Sequence, residues 1–192
     1  MSGKRFISAQ ELLEDSYRLG ARIIDSGFRP DFIVGIWRGG TPVGIAVQEM
    51  LEHFGIRADH ISVRTSLYRG IGAPGEQVRV HGLGYLERNL EAEHGLLIVD
   101  DVFDTGRSIE AVIAQLTART QRNTPRRIAV AMPWFKPGNN ATARVPDYYL
   151  HQTEQWLVFP HELLGLSDDE IARGKPQVHE ILRAVSVPAT AG

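Results

Sequence analysis

Three carboxylates and two hydroxyls fall within the short stretch Asp100-Asp101-Val102-Phe103-Asp104-Thr105-Gly106-Arg107-Ser108. It follows Gly95-Leu96-Leu97-Ile98-Val99, the most apolar run in the chain. It precedes Ile109, Val112, Ile113 and Leu116, whose offsets of zero, three, four and seven mark one face of a helix. A buried strand therefore ends in carboxylates, and a helix opens on Thr-Gly-x-Ser. A helix start offers unpaired amides and the positive end of a dipole, which together suit an anion. Gly106 allows close approach of a phosphate, while Thr105 and Ser108 add hydroxyl donors. Asp100 and Asp101 would repel a phosphate. They suit the hydroxyls of a sugar, or a hard cation such as magnesium. A phosphate and a diol bound by one loop point to ribose 5-phosphate. The missing Gly-Lys-Ser/Thr excludes an ordinary P-loop nucleotide triphosphatase.

The elements that must hold this loop are legible from hydrophobic spacing. Ser8 to Glu11 reads as a capping box opening a first helix, with Leu12, Leu19 and Ile23, joined by Leu13, Tyr17 and Ile24, as its apolar face and Gly27 at its end. Asp31 to Ile36 is a continuous apolar run, hence a buried strand. Gly39-Gly40 interrupts it, and Thr41 to His53 returns to helical spacing. Asp59 to Thr65, Gln77 to His81 and Arg127 to Met132 read as further strands, with shorter β candidates at Tyr148 to Leu150 and Trp156 to Phe159. Between the first two lies the Gly/Pro-rich stretch Arg69 to Gly75, unsuited to regular structure. Ser167 to Glu170 caps a final helical region. Strands alternating with helices predict an α/β fold, doubly wound, with a mainly parallel central sheet flanked by helices. Ligands of such sheets bind beyond the carboxyl ends of the strands, which selects the segments after Ile36, Val99 and Met132.

Composition sets the outer limits. The 192 residues carry 21 basic and 23 acidic side chains, a formal net charge of -2, and no cysteine. The balance argues against non-specific nucleic-acid or membrane-surface binding, and no run reaches the ~18 apolar residues of a membrane span. Without cysteine there is no disulfide and no thiolate metal site or nucleophile; a soluble, cytoplasmic protein is expected. Seven histidines show no metal-ligand spacing. Nineteen glycines are many for one domain. Several fall in the loops just named.

The Asp100-to-Ser108 stretch resembles the phosphoribosyl pyrophosphate (PRPP) motif of the type I phosphoribosyltransferases. Asp104, where relatives acting on adenine or orotate carry a small or uncharged residue, is similar to the 6-oxopurine branch, the hypoxanthine-guanine-xanthine enzymes. The resemblance runs from about Phe32 to Glu162. It implies PRPP binding by Asp100, Asp101, Asp104, Thr105, Gly106, Arg107 and Ser108, with Asp104 catalytic at purine nitrogen 7. It implies a pyrophosphate loop at Arg38, Gly39 and Gly40 with a cis Trp37-Arg38 bond; alone, Arg38 reads equally well as a surface side chain beside a turn. It assigns Ser66 and Tyr68 to a mobile loop that continues into residues 69–84. Lys136, Trp156 and Leu157 become purine-binding, although on their own the lysine reads as solvated and the tryptophan as core. Magnesium is implied at Asp100 and Asp101, and a second ion at Glu162, where the family commonly has aspartate. One domain over residues 1–185 is expected, with a small hood from about 1–30 and 133–185 and a soft tail at 186–192. The implied partners are PRPP and a purine base, with no nucleic acid and no membrane, in a homodimer or homotetramer. A PRPP-sensing regulator on the same fold is the alternative. The ranking among hypoxanthine, guanine and xanthine is not readable from the sequence.

Overall fold

The computed structural model describes residues 3–68 and 77–185. The glycine-rich stretch at 69–76 and the tail at 186–192 lie outside the described residues. Two compact units are formed, one from residues 10–154 and a smaller one from 1–9 and 155–192. Helix α1 (Ala9–Asp25) begins at their junction. The larger unit holds β2 (Phe32–Trp37), α2 (Gly40–His53), β3 (Asp59–Tyr68), β4 (Gln77–His81), α3 (Gly84–Asn89), β5 (Gly95–Val99), β6 (Val102–Phe103), α4 (Arg107–Thr120), β7 (Arg127–Phe135) and β8 (Tyr148–Gln152). The smaller unit holds β1 (Lys4–Phe6), β9 (Trp156–Val158), α5 (Asp168–Gly174) and α6 (Pro176–Ala184).

The larger unit is a seven-stranded sheet in the order β4-β3-β2-β5-β7-β6, with β8 also on β7. Every pairing is parallel except β3 with β4. Both faces are covered. Phe32, Val34 and Ile36 of β2 join Leu96 and Ile98 of β5 in a core with Leu83 and Leu86 before and within α3, and Ile109, Val112 and Leu116 of α4. On the opposite face Gly35 of β2 lies within contact distance of Gly40 and Gly44 of α2, and α1 stacks on α2 where Gly20 meets Met50. This is a doubly wound, mainly parallel sheet flanked by helices, as predicted.

The apolar face of the first helix is redrawn. Leu13 and Tyr17 are exposed, and the buried stripe of α1 runs through Leu12, Asp15, Ser16, Leu19, Gly20 and Ile23. Asp15 tolerates this because Arg18 Nη1 and His151 Nε2 lie 2.7 and 2.8 Å from its two oxygens, and Ser16 donates to the Leu12 carbonyl at 2.6 Å. His151 also lies against the buried Trp134 ring, with centroids 4.4 Å apart. In the larger unit α1 packs on α2, and β8 pairs with β7 from Ala131↔Tyr148 to Phe135↔Gln152. Ser66 and Tyr68 are strand residues of β3, in register with Arg79 and Gln77 of β4. The Ser66 hydroxyl lies 3.2 Å from His81 Nε2.

The smaller unit pairs β1 with β9 in parallel, from Lys4↔Trp156 to Phe6↔Val158. The predicted capping box at Ser167 is formed, with Glu170 as its reciprocal partner.

Candidate active site

Strands β5 and β6 lie end to end along β7. Val99 pairs with Ala131, Val102 with Trp134, and Asp100-Asp101 fills the interruption. That break turns two carboxylates out of a strand row that is otherwise fully apolar. Asp101 is buried and Asp100 half-buried. The Asp101 amide donates to Asp100 Oδ1 at 3.0 Å. Burial pushes the Asp100 carboxyl well above the usual carboxylate range, helped by the charge of Asp101 and a hydrogen bond between the two side chains. Backbone amides of Asp101 and Gly40 oppose the rise by donating to the same carboxyl group.

The loop between β2 and α2 lies directly on this pair. A Cβ at Gly39 would stand 1.8 Å from Asp101 Oδ2, and one at Gly40 would stand 2.2 Å from the Val99 carbonyl. Only glycine allows the two loops to meet so closely. The Trp37-Arg38 peptide is cis, as the resemblance implies, and both side chains are exposed.

Past β6 the chain turns through Asp104-Thr105-Gly106 into α4. Gly106 adopts φ 75°, and its missing Cβ would sit 2.7 Å from both the Phe103 ring and Thr142 Oγ1. At the start of α4 the N-cap residue, Gly106, supplies no side-chain cap and the Arg107 amide donates only a long bond of 3.4 Å to Thr105 Oγ1, so the N-terminus presents its dipole and its next amides to a ligand. A cavity of about 80 Å³ lies along this loop, lined from Asp100 through Asp104 to Ser108.

Asp104 is held from the segment after β7. Lys136 Nζ lies 3.2 Å from Oδ2, and Asn139 Nδ2 donates to Oδ1 at 2.7 Å. Two backbone bonds join the same segments, Lys136 N to the Phe103 carbonyl at 2.9 Å and Ala141 N to the Thr105 carbonyl at 3.1 Å. Lys136 is therefore not a solvated lysine. It is buried, with its ammonium on a carboxylate.

Carboxylates at a strand end, a left-handed glycine opening a helix, and a glycine loop beneath them form one continuous ligand edge. Residues 4–163 match the phosphoribosyl transferase domain family. The chain belongs to that family. It is similar to the purine phosphoribosyltransferase of Pyrococcus horikoshii, at 26% identity and TM-score 0.65 over 85% of this chain and 97% of that one. A hypothetical protein from Neisseria gonorrhoeae with bound ppGpp shares the fold at 20% identity and TM-score 0.72, over 93% of this chain and 98% of that one. So does the xanthine-guanine-hypoxanthine phosphoribosyltransferase of Helicobacter pylori, at 18% identity and TM-score 0.61, over 92% and 100%.

The remaining phosphoribosyltransferase positions divide between the units. Arg38, Gly39, Gly40, Ser66, Asp100 to Ser108 and Lys136 lie in the larger one, while Trp156, Leu157 and Glu162 lie in the smaller one. Trp156 is 63% exposed, so the expectation of a core tryptophan fits Trp134 and not Trp156. Leu157 is buried in β9. Glu162 turns its carboxylate onto the Phe159 amide at 2.9 Å. Among the described residues no group of three or more His, Cys, Asp or Glu side chains is set to hold a metal. The Asp100-Asp101 pair nevertheless fits a magnesium ion completed by substrate and water oxygens, since a cation would replace the proton that burial and mutual repulsion favour on Asp100. Sequence reasoning missed Asn139 and Thr142. The turn signal Pro137-Gly138-Asn139, just beyond a strand at the ligand edge, could have found the first.

Proposed function

We propose that this phosphoribosyltransferase moves the 5-phosphoribosyl group of PRPP to a 6-oxopurine base, giving the nucleoside monophosphate and pyrophosphate. One observation carries the reading: a carboxylate, Asp104, stands between the helix start that suits a 5′-phosphate and a buried lysine that suits a 6-oxygen. The name of the 26%-identical relative, a purine phosphoribosyltransferase, supports the substrate class.

The amides at the start of α4, with Thr105 and Ser108, anchor the 5′-phosphate and align the sugar. Asp100 and Asp101 accept hydrogen bonds from the ribose hydroxyls. Arg38 meets the pyrophosphate, and Gly39 and Gly40 keep their loop low enough to let it in. Asp100 and Asp101 would hold a magnesium ion, which when bound would supply positive charge for the departing phosphates. The C1–oxygen bond breaks with its electron pair on pyrophosphate, C1 passes through oxocarbenium character, and a bond forms from purine nitrogen 9. Asp104 takes the proton from nitrogen 7, and Lys136 donates to the 6-oxygen, which adenine lacks. Trp156 offers the ring on which the base stacks, and the Leu157 backbone reads its edge. Ser66 and Tyr68 keep the part that the resemblance gives them, in covering the reacting centre. Glu162 as holder of a second ion, and the two units acting as one domain, belong to the same proposal.

The test is PRPP-dependent turnover with hypoxanthine, guanine, xanthine and adenine in parallel, followed by pyrophosphate release. Turnover with 6-oxopurines and none with adenine is expected. Preference for adenine would overturn the assignment of Lys136, and turnover with no base would favour a regulator.

A further inference from the structure

The two hydrogen bonds on Asp104 fall one on each oxygen, and the shorter is from Asn139. Facing a carboxylate oxygen, only the amide nitrogen of asparagine can donate, so its orientation is fixed by chemistry. The last torsion of an aspartate is soft and roughly two-fold. A donor on one oxygen leaves that freedom in place, whereas donors on both remove it. Asn139 is itself held by a pinned turn: the Gly138 amide donates to Glu154 Oε1 at 3.0 Å, and the Asn139 amide donates to the Lys136 carbonyl at 3.2 Å. Glu154 presses so closely that a Cβ at position 138 would lie 2.7 Å from its Oε2. Asn139 is exposed, so it supplies no core packing.

We infer that Asn139 is a positioning residue, whose amide holds the Asp104 carboxylate in the orientation that takes the purine proton, with Glu154 fixing the turn that carries it. The inference rests on the proposed reaction.

Steady-state kinetics of Asn139→Ala and Asn139→Asp test it, with PRPP and whichever of the four bases turns over fastest. Asn139→Ala is expected to lower kcat about ten- to a hundredfold while the KM for PRPP holds within about twofold. Asn139→Asp, nearly isosteric, sets a negative charge against Asp104 and falls further. A side chain that merely fills a turn gives the opposite order. In an Asp104→Ala background, adding Asn139→Ala changes nothing more, because the carboxylate through which it acts is gone. A further loss there, or an Asn139→Asp variant as active as Asn139→Ala, overturns the inference. Should the unmodified protein turn over no base, the proposed reaction fails, and crystal structures then read the positioning directly. A carboxylate rotated in Asn139→Ala upholds it; one left unmoved overturns it.

Discussion

Asp100 carries a carboxyl group held well above the usual carboxylate range, because burial and the Asp101 charge both work against its ionisation. A carboxyl whose folded pKa is raised contributes stability that is fully present below its unfolded pKa and is lost as pH rises through the folded value. At neutral pH the chain therefore carries a cost at this position. We expect Asp100→Asn to raise Tm at pH 7, by about 2–4 °C for each kcal/mol recovered, with the difference shrinking as pH is lowered toward the ordinary carboxylate range. The same variant should lose PRPP-dependent turnover. Thermal melts across pH check the first part; a Tm lowered at pH 7 and unchanged at acid pH would contradict it. In the proposed reaction Asp104 acts at the chemical step, so Asp104→Ala is expected to cut kcat by about a hundredfold or more and change the KM for PRPP little. Unchanged turnover would remove its role. At this scale the sequence exposed every residue of the Asp100-to-Ser108 loop, because their types are unusual after a buried strand. It hid Asn139 and the burial of Lys136, since both depend on contacts with residues over thirty positions away.

The element that matters most is α4, whose start is shaped by one left-handed residue. Gly106→Ala would force a Cβ into φ 75° and within 2.7 Å of the Phe103 ring and Thr142. Loss of roughly 1–3 kcal/mol and a raised KM for PRPP are expected, since the amides that take the phosphate would shift. Denaturation and kinetics on the same preparation check both; a wild-type KM in a destabilised variant would detach this turn from phosphate binding. Elements long enough to show a period were legible: β2, β5, α2, α4 and β7 fall within a few residues of their predicted bounds. Strands β1 and β6 were not, because three and two residues carry no alternation to detect. The α1 stripe was misjudged at Leu13 and Tyr17 because hydrophobicity alone cannot see that Asp15 is buried with two partners.

For the whole molecule, the expected ligand should act as a staple on the sheet edge. At a hundredfold excess over Kd, PRPP with magnesium should add about 2.7 kcal/mol to stability, a rise of about 5–10 °C in Tm for a chain of this size. Asp101→Asn should abolish most of that rise; an equal rise in the variant would take Asp101 out of the site. The fold class was readable because strand and helix periods alternate along the chain, whereas the division into units was not, since it depends on β8 joining β7. Gly39, Gly40 and Gly106 have a consequence for how such a protein can change. With backbone, carboxylate and ring atoms already filling the space beside their Cα atoms, these positions take a larger residue only at a cost, and the loops they carry are the least open to substitution. Evolution or a designer seeking a new base must work elsewhere. The exposed ring of Trp156 has the room to vary.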